Sequence, residues 1–224
     1  MTTPALGSGM NANGFVSALA VTGTDLYAGG WFTIAGGQPA QYIAKWDGSA
    51  WSALSQGTSR GMNYYVSALA VSGTDLYAGG GFLTAGGVSA RYIAKWNGSA
   101  WSALGSGMSG GVSAYVLALA VSGTDLYAGG SFTTAGGAPA KCVAKWDGQA
   151  WSGLGSGMDN FVQALAVSGT NLHAGGAFAT ADGKAAKRLA KWDGSAWSAL
   201  AGAWTTPSSH WRPAGLIFTR RVPL

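Results

Sequence analysis

An eight-residue block written four times is the strongest constraint on what this chain can become. Residues 44–51 read AKWDGSAW, 94–101 AKWNGSAW, 144–151 AKWDGQAW and 190–197 AKWDGSAW. Self-similarity at a fixed period marks an array of small units that bury their apolar faces on one another. Each copy reads as strand, two-residue turn, strand. Asp-Gly or Asn-Gly between apolar runs predicts a type I′ turn, in which both central residues take positive φ. Asn97 stands where the other copies have Asp47, Asp147 and Asp193. An amide serves such a turn as well as a carboxylate but does none of a carboxylate's acid–base work, so these positions are read as structural.

Composition narrows the class. The 224 residues include 38 Gly, 11 Trp, 8 Tyr and 7 Phe. Disordered chains are poor in aromatics, and here Gly recurs between apolar runs, so it is read as turn-forming. Charge is sparse, with 13 Lys and Arg, 8 Asp and no Glu, for a net charge of +5. Arg212, Arg220 and Arg221 crowd the end of the chain, which leaves no basic stripe along the repeats and no expectation of a nucleic-acid partner. The single Cys142 excludes an internal disulfide framework and any multi-Cys zinc site, and no cofactor is expected. No apolar run is long enough to span a bilayer as a helix. The opening MTTP has no basic region followed by an apolar stretch, so no signal peptide is visible.

Four complete units are expected at 15–57, 65–107, 115–157 and 161–201. Residues 1–14 contain PALGSGM, which matches the end of a unit (ALGSGM at 103–108) and reads as an orphan outer strand with its loop. Residues 202–224 abandon the repeat and form a basic tail fenced by Pro207, Pro213 and Pro223. The first three Trp of the blocks, Trp46, Trp96 and Trp146, are 50 residues apart, whereas Trp192 follows after 46. The difference lies in the connection before each unit's first strand, which marks that connection as a surface loop. Within the second unit four strands are predicted, at 66–71 (VSALAV), 75–80 (DLYAGG), 91–96 (RYIAKW) and 100–104 (AWSAL). A longer connection through Gly86-Gly87 separates the middle two. Four short strands in a period of 40–50 residues is what a propeller blade requires. The fold class is therefore all-β, a β-propeller-like array of four four-stranded antiparallel blades, with Trp51, Trp101, Trp151 and Trp197 buried between neighbouring blades.

The order Asp-Leu-Tyr-Ala-Gly-Gly, an aromatic strand and then a Trp resembles the kelch repeat. It is most similar to bacterial kelch-like propeller repeats of the W-D-G-x-x-W kind. The matching positions are Gly29-Gly30, Gly79-Gly80, Gly129-Gly130 and Gly175-Gly176, with the pairs Trp46/Trp51, Trp96/Trp101, Trp146/Trp151 and Trp192/Trp197. The resemblance implies a surface or secreted bacterial protein. It departs from the kelch pattern in one respect, because such propellers usually close with six or seven blades and four are written here. The Trp-Asp dipeptide is not the WD40 signature, since its Asp opens a turn and no Gly-His precedes it. Kelch-like folds also include copper radical oxidases, which need a Tyr-Cys pair and a Tyr/His ligand set.

Few residues carry chemistry. His173 replaces Tyr27, Tyr77 and Tyr127 and reads as drift at a packed aromatic position, and His210 lies in the tail. Cys142 takes the place of Tyr42, Tyr92 and Arg188 and reads as packing. Asp25, Asp75, Asp125 and Asn171 follow Gly-Thr and read as turn residues. Lys45, Lys95, Lys145 and Lys191 are the one repeated charge. They read as edge lysines that discourage strand pairing, with a ring that binds an anion as the functional alternative. Asn97-Gly98-Ser99 matches the N-glycosylation pattern inside a tight turn.

The expected function is a non-enzymatic structural or protein-interaction module. Its candidate contact residues are the rim aromatics Phe15, Tyr64, Tyr65, Tyr115 and Phe161, which lie in the connections of varied length. A glycan-binding, lectin-like propeller is the alternative from another class, and a remnant of a copper-oxidase-like enzyme is the third. Self-association through sheet edges is also expected, because the orphan strand has no vacancy in a four-blade ring and an unpaired edge templates another chain.

Overall fold

The computed structural model describes residues 7–55, 57–111 and 113–200. Residues 1–6 of the expected orphan segment and the tail 202–224 lie outside the described residues. Among the described residues the regular structure is strands and turns, in four four-stranded antiparallel sheets and four smaller ones of two or three strands. In the second sheet Val66–Ser72 pairs with Asp75–Gly80, then Ile93–Trp96, then Trp101–Ala103, and the other three sheets repeat this order. The chain is a propeller-like array of four blades, as the repeat period predicts.

The turns differ from expectation in an instructive way. Trp46 pairs directly with Trp51, so Asp47-Gly48-Ser49-Ala50 is a four-residue loop and not a two-residue type I′ turn. Only Gly48 has positive φ there (99°), and the same holds for Gly98, Gly148 and Gly194. The Asp47 carboxylate accepts the Ser49 and Ala50 amide N–H groups at 2.8 and 2.9 Å and the Ser49 hydroxyl at 2.8 Å. Asn97 accepts the equivalent three bonds through its side-chain oxygen. A side chain that satisfies the loop's own amides makes the left-handed first residue of a type I′ turn unnecessary. Two consecutive left-handed residues occur elsewhere, inside the longer connection between the second and third strands. Thr84–Ala85 and Val88–Ser89 form a small extra hairpin closed by Gly86 and Gly87, at φ 56° and 85°. Asp182 and Gly183 (53° and 72°) close its counterpart in blade 4, which is the Asp-Gly signature acting as a hairpin turn.

The extra hairpin is where one blade grips the next. Met62, Met108 and Met158, within the inter-blade connections, bridge to Ala85, Ala135 and Ala181 of the hairpin that follows. Met10 bridges to Ala35 in the same way, and the Gly36 amide donates to the Gly9 carbonyl at 2.7 Å. Residues 7–10 are thus docked on blade 1 as a connection from a preceding blade would be, a correction to their reading as part of an unpaired strand.

Three core clusters lie between blades, and a fourth, with Phe32, Ala44 and Trp51, lies within blade 1. One cluster joins Tyr27, Ile43 and Leu54 of blade 1 to Val66, Leu76, Phe82, Trp96 and Trp101 of blade 2. The next two repeat it, with Tyr77, Ile93 and Leu104 against Val116, Phe132 and Trp151, and Val143 and Leu154 against Val162, Phe178 and Trp197. Trp101, Trp151 and Trp197 are buried, and their indole N–H groups donate to the carbonyls of Leu54, Leu104 and Leu154 in the preceding blade at 3.2, 2.9 and 2.9 Å. Each indole therefore fills the inter-blade space and fastens the two blades with its polar edge. The Gly pair has an equally direct role. A β-carbon on Gly29, Gly79 or Gly129 would lie 2.5, 2.5 or 2.6 Å from a methyl of Val66, Val116 or Val162 in the next blade, so only glycine admits the valine. Replacing Trp101 by Ala is expected to lower stability by about 3–5 kcal/mol, the usual range for truncating a buried Trp; chemical denaturation with matched m-values checks it, and a midpoint equal to the parent's overturns the burial argument.

Candidate functional site

Every blade repeats its core, so a site is sought where the blades differ. The ends of the first two strands at one rim are such a place. Phe15 faces Trp31 across the blade 1 hairpin, at its open end. Trp31 has no aromatic counterpart, since Gly81, Ser131 and Ala177 occupy that register in the other blades. Its indole meets Tyr64 edge-on at 5.0 Å between ring centroids, Tyr42 at 5.7 Å and Tyr65 at 6.2 Å. Tyr64 in turn lies 5.0 Å from Tyr65 and 6.3 Å from Tyr42. Edge-to-face rings at these distances attract through their quadrupoles and hold one another in place.

Local sequence explains why the rings converge. Asn63 accepts the Leu83 and Thr84 amides at 2.8 and 2.9 Å, which pins the connection just before Tyr64. Gly81 leaves room beneath, because a β-carbon there would lie 2.6 Å from the Tyr65 ring and 2.9 Å from that of Tyr64. Tyr42 is left-handed (φ 65°), a conformation shared by Tyr92, Cys142 and Arg188 at the same register. Its amide donates to the Phe32 carbonyl at 2.8 Å and its carbonyl accepts from Gly30, so the backbone tie holds the unusual φ. Trp31 and Tyr64 remain substantially exposed, at 38% and 43%, and Phe15 at 58%. Burial, and then the neighbouring Tyr115 and Tyr64 phenols, raise the Tyr65 pKa above its ordinary value, so it is a neutral hydrogen-bonding hydroxyl at pH 7.

Of the expected rim residues, the structure brings Tyr64 and Tyr65 together, with Tyr115 close enough to act on Tyr65 and Phe15 across the hairpin from Trp31. Phe161 stands apart on blade 4, where its carbonyl accepts the Ala177 amide. Trp31 and Tyr42 were missed by sequence reasoning. The signal was present at Trp31, an aromatic at a register that other units fill with small residues.

Three of the four repeated lysines are tied to carboxylates of their own blades. Lys45, Lys95 and Lys145 lie 2.6, 3.0 and 2.6 Å from Asp25, Asp75 and Asp125. The Asp25 and Asp125 hydrogen bonds raise the pKa values of Lys45 and Lys145. An anion at these ammonium groups must therefore compete with a carboxylate already in place. Lys191 faces His173 in register, as Lys45, Lys95 and Lys145 face Tyr27, Tyr77 and Tyr127, and blade 4 has Asn171 where the others have the partner Asp. At the turn end of the first hairpin, opposite the aromatic rim, a cleft of about 440 Å³ between blades 1 and 2 is lined by Asp25, Lys45, Thr74 and Asn97. Burial raises the Cys142 thiol, which keeps it protonated and a poor nucleophile. Among the described residues no three His, Cys, Asp or Glu side chains gather as metal ligands.

No family model and no curated protein matches this sequence. Solved structures do resemble the fold. The computationally designed protein Ika4 superposes with a TM-score of 0.52 at 18% identity, over 85% of this chain and 98% of its own. The designed protein Ika8 has a TM-score of 0.48 at 18% identity, over 79% of this chain and 45% of its own. YCF48 bound to D1 peptide gives 0.47 at 13% identity, over 84% of this chain and 52% of its own. This chain thus spans about half the length of Ika8 and YCF48. These are propeller-like repeat proteins, and at such identities the likeness to Ika4 is one of fold alone.

The turn acids supply a test of their structural role. Hydrogen bonds from the Ala50 and Ser49 amides hold the Asp47 pKa at about 2, below its ordinary 3.8, and the equivalent bonds hold Asp193 at about 2. A depressed folded-state value means that the contribution to stability is complete above the ordinary value and is lost as pH falls through the folded one. The triple variant Asp47→Asn, Asp147→Asn, Asp193→Asn is expected to melt close to the parent at pH 7 and to lose less between pH 4 and pH 2. Thermal melts across that range check it; an unchanged acid limb overturns the assignment.

Proposed function

We propose that this chain is a non-enzymatic interaction module of kelch-like repeat type whose contact surface is the aromatic rim of blades 1 and 2. The observation that carries the reading is the cluster Trp31, Tyr42, Tyr64 and Tyr65, in which two of the rings stay exposed. Rings anchored on a repeated scaffold lose little conformational freedom on binding, and Trp and Tyr dominate the energetics of protein contacts. Phe15, Tyr115 and the half-exposed Leu83 extend the surface. The partner such a surface fits is a peptide or protein segment with apolar or proline side chains, which dock between aromatic rings without needing opposite charge.

Glycan binding is the second reading. It is favoured by the Tyr42, Tyr64 and Tyr65 hydroxyls beside the exposed Trp31 ring, which together offer a stacking face and hydrogen-bonding edges to a sugar.

Peptides selected by display against the full chain, and a glycan array probed with the same protein, separate the two. Trp31→Ala and Tyr64→Ala are each expected to weaken selected peptides by about 10–100-fold, the effect of losing an aromatic hot spot, while circular dichroism stays unchanged. Peptide binding indifferent to both substitutions overturns the rim assignment, and array binding lost in both moves the ligand class to glycans.

A further inference from the structure

Among the described residues, two unlike faces of the four blades are left uncovered, and each is the complement of the other. Val16, Leu19 and Val21 on the first strand of blade 1 are 42%, 61% and 64% exposed. The counterparts of Val16, which are Val66, Val116 and Val162, are fully buried against the preceding blade, and those of Leu19 and Val21 are partly buried. The core cluster of blade 1 tells the same story, since it holds Phe32, Trp51 and Met10 but no Tyr, Ile and Leu contributed by a blade before it. Blade 4 shows the opposite half. Leu189 is partly exposed where Ile43, Ile93 and Val143 are fully buried, and Ala166 is exposed where Ala20, Ala70 and Ala120 are partly covered. A β-carbon on Gly175 would meet nothing among the described residues closer than 3.9 Å, whereas Gly29, Gly79 and Gly129 are each filled by a valine methyl. Blade 1 and blade 4 therefore do not cover each other as consecutive blades do.

We propose that blade 4 of one chain seats blade 1 of a second copy, with Val16 entering the slot over Gly175 and Leu19 packing beside it. The chain itself supplies the template. The same residue types make this contact three times within it, between blades 1 and 2, 2 and 3, and 3 and 4. The occupant of the blade 4 slot is accordingly the valine face of this repeat. The surfaces joined are blade faces, and strand edges take no part. This contact is head to tail, so two copies related by a two-fold axis close one ring through two such seats, or successive copies extend a chain where the curvature does not close. The seat does not use Trp31, Tyr42, Tyr64 or Tyr65, the rings on which the rim reading rests.

Sedimentation velocity of the full chain over a hundredfold dilution tests it. The expected result is a species of about 45 kDa, twice the 22.5 kDa chain, or larger, that dissociates on dilution. Val16→Asp and Gly175→Leu are each expected to weaken association by on the order of thirtyfold or more, as for a central interface residue. Neither site is packed against a neighbouring blade within the chain, and Gly175 does not have positive φ, so the melting temperature of the dilute protein is expected to be unchanged in both. A photoreactive side chain at position 19 is expected to crosslink to blade 4 of another copy. A mass of 22.5 kDa throughout overturns the proposal, as does association that survives both substitutions. Tyr64→Ala is expected to leave the mass unchanged, so failure of this interface and failure of the rim reading are separately visible.

Discussion

The seating of a valine methyl over a bare glycine backbone is the contact on which this structure depends. It brings two sheets close enough for a Tyr, an Ile or Val, and a Leu of one blade to meet a Phe and two Trp of the next. A single methyl group on Gly79 would collide with Val116 and hold the blades apart. The Gly and Ala content that would weaken an isolated strand is thus what allows close sheet-on-sheet packing. The Trp indole then secures the interface with a hydrogen bond to a leucine carbonyl one blade back. Stability is distributed over nearest-neighbour interfaces rather than gathered in one core.

That economy of means divides the residues into two sets. Those that repeat belong to the scaffold: the Gly pair, the Trp pair, the Met bridge, the capped Asp or Asn loop and the Lys–Asp pair. Those that do not repeat are free of the scaffold's demands. Trp31 and Tyr64 are of this kind, and they meet Tyr65, whose register is aromatic in every blade, because Gly81 leaves space and Asn63 pins the connection that carries the two tyrosines. His173 and Asn171 are also departures, and they fall on blade 4, the blade with an uncovered face. A nearest-neighbour array has this property at its two ends, where each terminal unit makes half of its contacts.

The sequence by itself determined the fold class, the number of blades, the order of their strands and the burial of the second Trp of each pair. It did so because these are consequences of period and alternation, which are local and were written four times. It also established that the Asp/Asn position is structural, through one natural exchange at Asn97. Only the tertiary structure decided where the left-handed turns lie, because Asp47 satisfies the loop amides with its own carboxylate and the Gly-Gly turn sits in a hairpin two residues per strand long. Only the structure turned residues 7–10 from an orphan into a docked connection, since the Met10 bridge spans a distance in sequence that no local pattern records. The repeated lysines read in sequence as edge charges, and three of the four are paired in space, because Asp25 and Lys45 are 20 residues apart and meet only through strand register. The rim cluster is the clearest case. Four rings from three separate connections and strand ends become one surface only when blade 2 is laid on blade 1, and that placement is set by sheet packing, not by any stretch of chain that can be read alone.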